Sequence, residues 1–234
     1  MLVEVWSDVV CPWCYLGKRH LEAALGEFAH AEDTIVVWRS FELDPHAPRR
    51  IEGSLQDLIA RKYGMTPEQA AAGNARLTAL AAQVGLPYRL DDVKVGNSFD
   101  AHRLIHLAGT HDLAPVAKER FLAAYFTEGA AIGDPEVLAR LAADTGLDAG
   151  EVRSVLDGDA FAEDVRADER RAAELGISGV PFFVVDGRWG ISGAQPADTI
   201  RRVLDQAWAE QVPDGRDSAR GSGGFGGGDE AGAS

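Results

Sequence analysis

Two cysteines make up the whole thiol content of these 234 residues, and both fall in one motif, Cys11-Pro12-Trp13-Cys14. Such a pair can pass between dithiol and disulfide. The attacking species is a thiolate, whereas an ordinary cysteine is mostly protonated at neutral pH, so this chemistry needs surroundings that favour the anion. Other uses fit these residues less well. A structural zinc site takes four ligands, and there is no second cysteine pair. None of His20, His30, His46, His102, His106 and His111 stands at a short-loop spacing that completes a site with the motif. A structural disulfide would close too short a loop to restrain much chain. Two inert buried cysteines remain a packing alternative, though such cysteines seldom bracket Pro-Trp where a helical pattern begins.

The elements that must position the pair surround it. Leu2 to Val10 is an apolar, strand-like run, and Cys14, Leu16, Gly17, His20, Leu21, Ala24, Leu25 and Phe28 set out a helical pattern. Unpaired N–H groups and the macrodipole at a helix N-terminus favour negative charge. Pro12 falls where a first helical residue needs no N–H. Cys11 is therefore expected to attack, and Cys14, one turn inside, to resolve the mixed disulfide. Trp13 offers an apolar platform beside the sulfur, and Pro12 and Trp13 influence redox poise. A strand feeding a helix that opens on C-x-x-C is the thioredoxin-type arrangement.

Thr34 to Ser40 predicts a second strand, and a parallel pair requires the β-α-β crossover that results. Past a loop punctuated by Pro45 and Pro48, the chain turns alanine-rich and helical from about Gly53 to Leu175. Thr66-Pro67-Glu68-Gln69 predicts a capping box with a stop at Gly85. Asp134-Pro135 opens another helix that Gly146 ends, and Asp159 to Leu175 is a further amphipathic stretch. Phe182 to Ile191 reads as a hairpin turning at Asp186-Gly187, with Pro181 at the strand entrance, where proline is tolerated. Pro196 to Gln211 predicts a closing helix with Ile200, Val203, Leu204, Ala207 and Trp208 on one face. The expected class is α/β, a thioredoxin fold with a large all-helical insertion between the β-α-β opening and the C-terminal hairpin plus helix. Residues 1–52 and 176–212 form its discontinuous thioredoxin-fold domain, 53–175 the insertion, and 213–234 a glycine-rich tail expected to be disordered.

Cys11 to Cys14 followed by Gly179-Val180-Pro181-Phe182-Phe183 resembles the DsbA family of thioredoxin-fold oxidoreductases. Asp8, Phe41-Glu42-Leu43-Asp44-Pro45, Asn97-Ser98-Phe99-Asp100-Ala101-His102-Arg103 and Ile191-Ser192-Gly193-Ala194-Gln195-Pro196 look like its FrnE-like branch, and the likeness runs in order from about Leu2 to Gln211. The resemblance implies that Pro181 is the family's cis-proline beside the cysteines. It also implies that Val180 offers backbone hydrogen bonds to a bound substrate strand. Asn97 or Ser98 can cap a helix on which His102 and His106, four apart, share a face. A metal pair there would lack a third ligand at a familiar spacing. The resemblance favours His102 as a lining residue of the substrate cleft, its imidazole moving protons during exchange.

One departure stands out. In thioredoxin and DsbA a buried carboxylate precedes the first cysteine by six residues, and here that position is Val5. Glu4 alternates to the face of Trp6, and Asp8 is a candidate proton acceptor for Cys14. The ordinary expectation for both acids is solvent exposure or helix-end electrostatics.

Charge adds exclusions. With 23 basic against 37 acidic residues the net charge is −14, which argues against nucleic-acid and anionic-membrane partners. Met1 leads almost directly into the first strand without a signal-peptide pattern, and no apolar run approaches a membrane span. The cytoplasm is the expected compartment, where a disulfide is transient, catalytic or redox-sensing. The expected substrates are proteins or small molecules carrying disulfides or dithiols. No cofactor or metal is called for, with glutathione a candidate reductant, and the alanine-rich helices leave a homodimer open. Two alternatives persist. Kappa-class glutathione transferases and 2-hydroxychromene-2-carboxylate isomerases look similar in lobe placement, but carry serine where Cys11 stands and an acidic residue in the loop after the hairpin. The third reading is a peptide-binding holdase that uses the same cleft without the cysteines.

Overall fold

The computed structural model describes residues 1–211. The expected disorder of 213–234 therefore lies outside the described residues. The chain opens β1 (Leu2–Ser7), α1 (Pro12–Gly26) and β2 (Ile35–Ser40). Seven helices follow: α2 (Leu55–Tyr63), α3 (Pro67–Gln83), α4 (Phe99–Gly109), α5 (Ala114–Glu128), α6 (Pro135–Ala143), α7 (Ala149–Asp157) and α8 (Ala162–Glu174). The hairpin β3 (Phe182–Val185) and β4 (Trp189–Ser192) and then α9 (Ala197–Gln211) close the described chain. This is the thioredoxin-like DsbA fold with a helical insertion.

The sheet order is β2-β1-β3-β4, with β1 parallel to β2 and antiparallel to β3. Val5 sits at the centre, opposite Trp38 on one side and Phe183 on the other. Period-2 alternation then divides β1. Val3 and Val5 join Leu21, Ala24, Phe28, Ile200, Leu204 and Ala207 in the core under α1 and α9. Trp6 packs on the opposite face with Ala172 of α8 and Val184. Its indole Nε1–H donates to the Asp168 carbonyl at 3.0 Å. Glu4 also points to the α8 side, but it is buried rather than exposed as expected. Arg39 of β2 and Arg171 of α8 both donate to its carboxylate, at 2.8 Å each, so two guanidinium groups offset its desolvation.

Local chemistry sets the element ends. Thr66 and Gln69 make the reciprocal capping box at α3, and Asp134 Oδ1 caps α6 by accepting from Glu136 N. Ser98 takes the N-cap position of α4, yet Asn97 Oδ1 makes the bond there, accepting from Phe99 N at 2.8 Å. Asp186 and Gly187 both have positive φ, as a two-residue hairpin turn needs. The stretch expected to be helical from Asp159 starts at Ala162, because Phe161 adopts a left-handed conformation and turns the chain first.

The insertion has its own core of α3 to α7 side chains, and Val9 and Tyr15 from either side of the cysteine motif belong to it. The loop after β2 threads between two glycines. A β-carbon on Gly96 or Gly133 would lie 2.1 or 1.9 Å from the Arg49 carbonyl oxygen. No helix among the described residues is long and apolar enough to cross a membrane.

Candidate active site

Cys11 is the N-cap of α1 and Pro12 its first residue. Cys11 N donates to the Asp8 carbonyl at 3.3 Å and Cys14 N to the Cys11 carbonyl at 3.0 Å, which winds the motif into the first turn. Both cysteines are free, and both are enclosed, Cys11 at 4% exposure and Cys14 at 1%. Trp13 stands out at 45% beside them.

The Val180–Pro181 peptide is cis. Cys11 Sγ–H donates to the Val180 carbonyl at 3.5 Å. The structure therefore brings together Cys11, Pro12, Trp13, Cys14, Val180 and Pro181 from two ends of the chain. Gly17 makes this approach feasible. A β-carbon there would fall 2.8 Å from Pro181 Cγ, so any larger residue would push the proline away from α1.

Beneath the cysteines lies a buried polar layer. Asp8, expected at the surface, is wholly enclosed. Its carboxylate accepts from Leu43 N at 2.7 Å, Val10 N at 3.3 Å and His102 Nε2 at 3.2 Å. Burial works to raise its pKa, but the bonds from His102, Leu43 N–H and the Ser98 hydroxyl more than offset this, and Asp8 stays below the ordinary aspartate value. An ionised carboxylate only accepts, so Nε2 of His102 carries the shared proton. Burial holds the His102 imidazole below its usual pKa, against the pull of Asp8.

His102 thus does not line an open cleft as expected. At 1% exposure it braces Asp8 from α4, because its side of the helix packs towards the β1–α1 turn. Its neighbour His106 reaches Ser40 Oγ at 3.1 Å and Asp168 at 3.2 Å, so the two histidines serve different carboxylates. Both contacts of His106 run through the same Nε2, which rules out a relay in which one ring nitrogen serves serine and the other aspartate.

Three residues to which sequence reading gave no part in the site complete it. Lys118 of α5 is fully buried, and its Nζ donates to the Ser7 carbonyl at 3.1 Å. Burial lowers its ammonium to about 8, against the pull of Cys14, Asp8 and Cys11. Tyr88 Oη donates to the Pro12 carbonyl at 2.6 Å, with its ring 5.1 Å from Phe126, clamping the motif to the helical lobe. Gly17 is the third. Only Lys118 carried a local signal: it interrupts the apolar stripe of Ala114, Ala117, Phe121, Leu122 and Tyr125 at a core-facing position. Cys14 feels all of this. Burial first, then the hydrogen bond to Cys11 and its charge, push the Cys14 thiol well above an ordinary cysteine, while Lys118 and the Asp8 N–H pull the other way.

Other proteins resemble this chain in sequence and fold. A probable DsbA oxidoreductase of Streptomyces coelicolor is 47% identical, superposes with a TM-score of 0.88, and aligns over 91% of this chain and 92% of its own. The uncharacterised protein YwbO of Bacillus subtilis (strain 168) is 27% identical over 205 residues, 86% of this chain and 94% of that protein. The cytosolic disulfide reductase DsbM of Pseudomonas aeruginosa, at 21% identity, has the same fold with a TM-score of 0.62 over 90% of this chain and 100% of its own. Residues 2–205 match the family model described as DSBA-like thioredoxin domain, a span from the first strand into the last described helix, and the chain belongs to that family.

Proposed function

We propose that this protein is a thiol–disulfide oxidoreductase that exchanges disulfides through Cys11 and Cys14. The observation that carries the reading is the placement of the pair. Cys11 occupies the N-cap position of a helix with its sulfur on the Val180 carbonyl, and Cys14 lies enclosed one turn behind it. The sulfur at the helix N-terminus can take a substrate sulfur, and the one a turn behind it is left to displace it. The Val180 main chain and the exposed Trp13 indole supply a hydrogen-bonding edge and an apolar contact for an extended substrate segment. His102 is assigned a bracing role behind Asp8 rather than substrate contact.

Substrates in this reading are proteins or small molecules with a disulfide or dithiol, the compartment is the cytoplasm, and glutathione is the candidate reductant. Likeness to a reductase described as cytosolic supports the compartment, and likeness to that reductase solved with GSH supports glutathione. Reduction of insulin disulfides by the wild type and by Cys11→Ser tests the proposal. The wild type should turn over and the variant should fall to background. Equal rates would refute it. Glutathione-conjugate turnover that persists in Cys11→Ser would favour the isomerase or transferase reading, and aggregation suppression without any exchange would favour a holdase.

A further inference from the structure

Cys14 must lose a proton before it can displace a substrate from Cys11, and its enclosure opposes that loss. The relatives' carboxylate position holds Val5, which packs away from the motif in the core under α1 and α9. Asp8 is already fully engaged. Its oxygens accept from Val10 N, Leu43 N and His102, which leaves it a poor acceptor for a further proton. His102 directs its Nε2–H at Asp8.

Lys118 is a further ionisable group in this layer, and it is fully buried. Charged and polar groups from several elements act on its ammonium. They are Cys11, Cys14 and Lys18 from α1, Asp8 and the Ser7 carbonyl from the end of β1, the Trp38 ring at 5.9 Å from β2, and His102 from α4. Among the described residues one of its three donors has an assigned acceptor, and the Ser7 hydroxyl is buried without a partner. An apolar side chain would fill this position without the desolvation cost that a buried ammonium carries.

Resting on the disulfide-exchange reading above, we propose that Lys118 is the positioning residue against which Cys14 ionises during the resolving step. Cys11 thiolate attacks one sulfur of a substrate R–S–S–R′. The Cys11–S–R bond forms, the substrate S–S bond breaks, and R′S⁻ leaves to be protonated. The negative charge on Cys11 is then gone, which leaves Cys14 as the thiol whose ionisation the Lys118 ammonium favours. Cys14 loses its proton to solvent, giving a thiolate held against that cation. That thiolate attacks Cys11 Sγ, the Cys11–Cys14 disulfide forms, and RS⁻ departs with the electron pair and is protonated. The substrate is reduced by two electrons and the cysteine pair oxidised by two.

Two measurements test this without any disulfide substrate. In Cys11→Ser, Cys14 is the sole thiol, so ultraviolet thiolate absorbance against pH reports it alone. Adding Lys118→Met should weaken Cys14 ionisation at least tenfold, an upward shift of at least one pH unit, and Lys118→Arg should restore it. Unchanged midpoints in folded protein would overturn the proposal. Should the methionine variant not fold, NMR titration of the labelled Lys118 ammonium in the unaltered sequence decides. Its midpoint should differ at least threefold in ionisation constant between the dithiol and disulfide forms, and identical midpoints would overturn the coupling. Coupling in a protein that exchanges no disulfide would remove the functional reading alone. Exchange with an uncoupled lysine would remove only the role of Lys118.

Discussion

Asp8 carries more structural responsibility than its place in the sequence suggests. One carboxylate joins the β1–α1 turn, the Leu43 amide and His102 of α4, with Asp8 and His102 themselves buried. Its pKa lies below the unfolded value of about 3.9, so the native state holds the anion to lower pH than the unfolded chain does. The resulting stabilisation is complete above the unfolded value and disappears as pH falls through the folded one. Asp8→Asn should cost about 1–3 kcal/mol at neutral pH, the range for disturbing a buried hydrogen-bonded group. It should also flatten the acid limb of stability against pH. Urea unfolding at a series of pH values measures both, and an unaltered acid limb would show that Asp8 is not the titrating group.

At the scale of elements, the approach of α1 to the β3 entrance depends on one missing side chain. Gly17→Ala improves helix propensity by up to about 1 kcal/mol. The added β-carbon, however, meets the rigid Pro181 ring at 2.8 Å and lies 3.4 Å from Phe183. Overpacking of this kind costs about 1–3 kcal/mol, so the clash outweighs the propensity gain. The variant should unfold at lower denaturant and, with Pro181 displaced from the sulfurs, exchange insulin disulfides several-fold more slowly. A stabilised variant of normal activity would contradict the contact. A second joint sits on the other side of α1. Glu119 of α5 accepts from Tyr15 and Lys18 at 2.6 Å each, and from Arg19. These bonds hold the carboxyl down at about 2, although burial pulls it upward. The same α1–α5 joint directs the adjacent Lys118 inward beneath the cysteines.

For the whole molecule, the question is what holds the helical insertion against the sheet. Glu42, just after β2, accepts from Arg166 of α8 at 2.6 Å and from Asn97 before α4 at 3.3 Å. Burial, helped by the nearby charges of Glu169 and Asp8, raises its pKa to about 7 despite Arg166. For a carboxyl raised in the native state, the folded form binds the extra proton, so stability falls as pH rises from the unfolded value of about 4.3 towards 7. Glu42→Gln should remove that fall, a difference of order 2–3 kcal/mol across the window at about 1.4 kcal/mol per pH unit. Thermal midpoints of both proteins at acidic and neutral pH check this, and parallel curves would refute it. The loop containing Arg49 passes between Gly96 and Gly133 with no room for a methyl group at either, so both glycines belong to the same seam.

Chemistry carried by neighbours in sequence was legible in the chain itself. The C-x-x-C at a helix start, the capping box at Thr66, the Asp186-Gly187 turn and the alternation of β1 are each set by a few consecutive residues, whose backbone preferences act locally. The apolar pattern also sufficed for the fold class, because strand, helix and insertion must each bury one face. The tertiary structure alone decided the polar layer. Whether Glu4 and Asp8 meet water or guanidinium, amide and imidazole groups depends on residues 35 to 167 positions away. The same holds for Lys118, whose nearest partner, the Ser7 carbonyl, lies 111 residues back along the chain. Desolvation is a property of assembled surroundings and is absent from any local stretch of chain, so the groups that tune Cys14 became identifiable only when β1, α4 and α5 were packed around it.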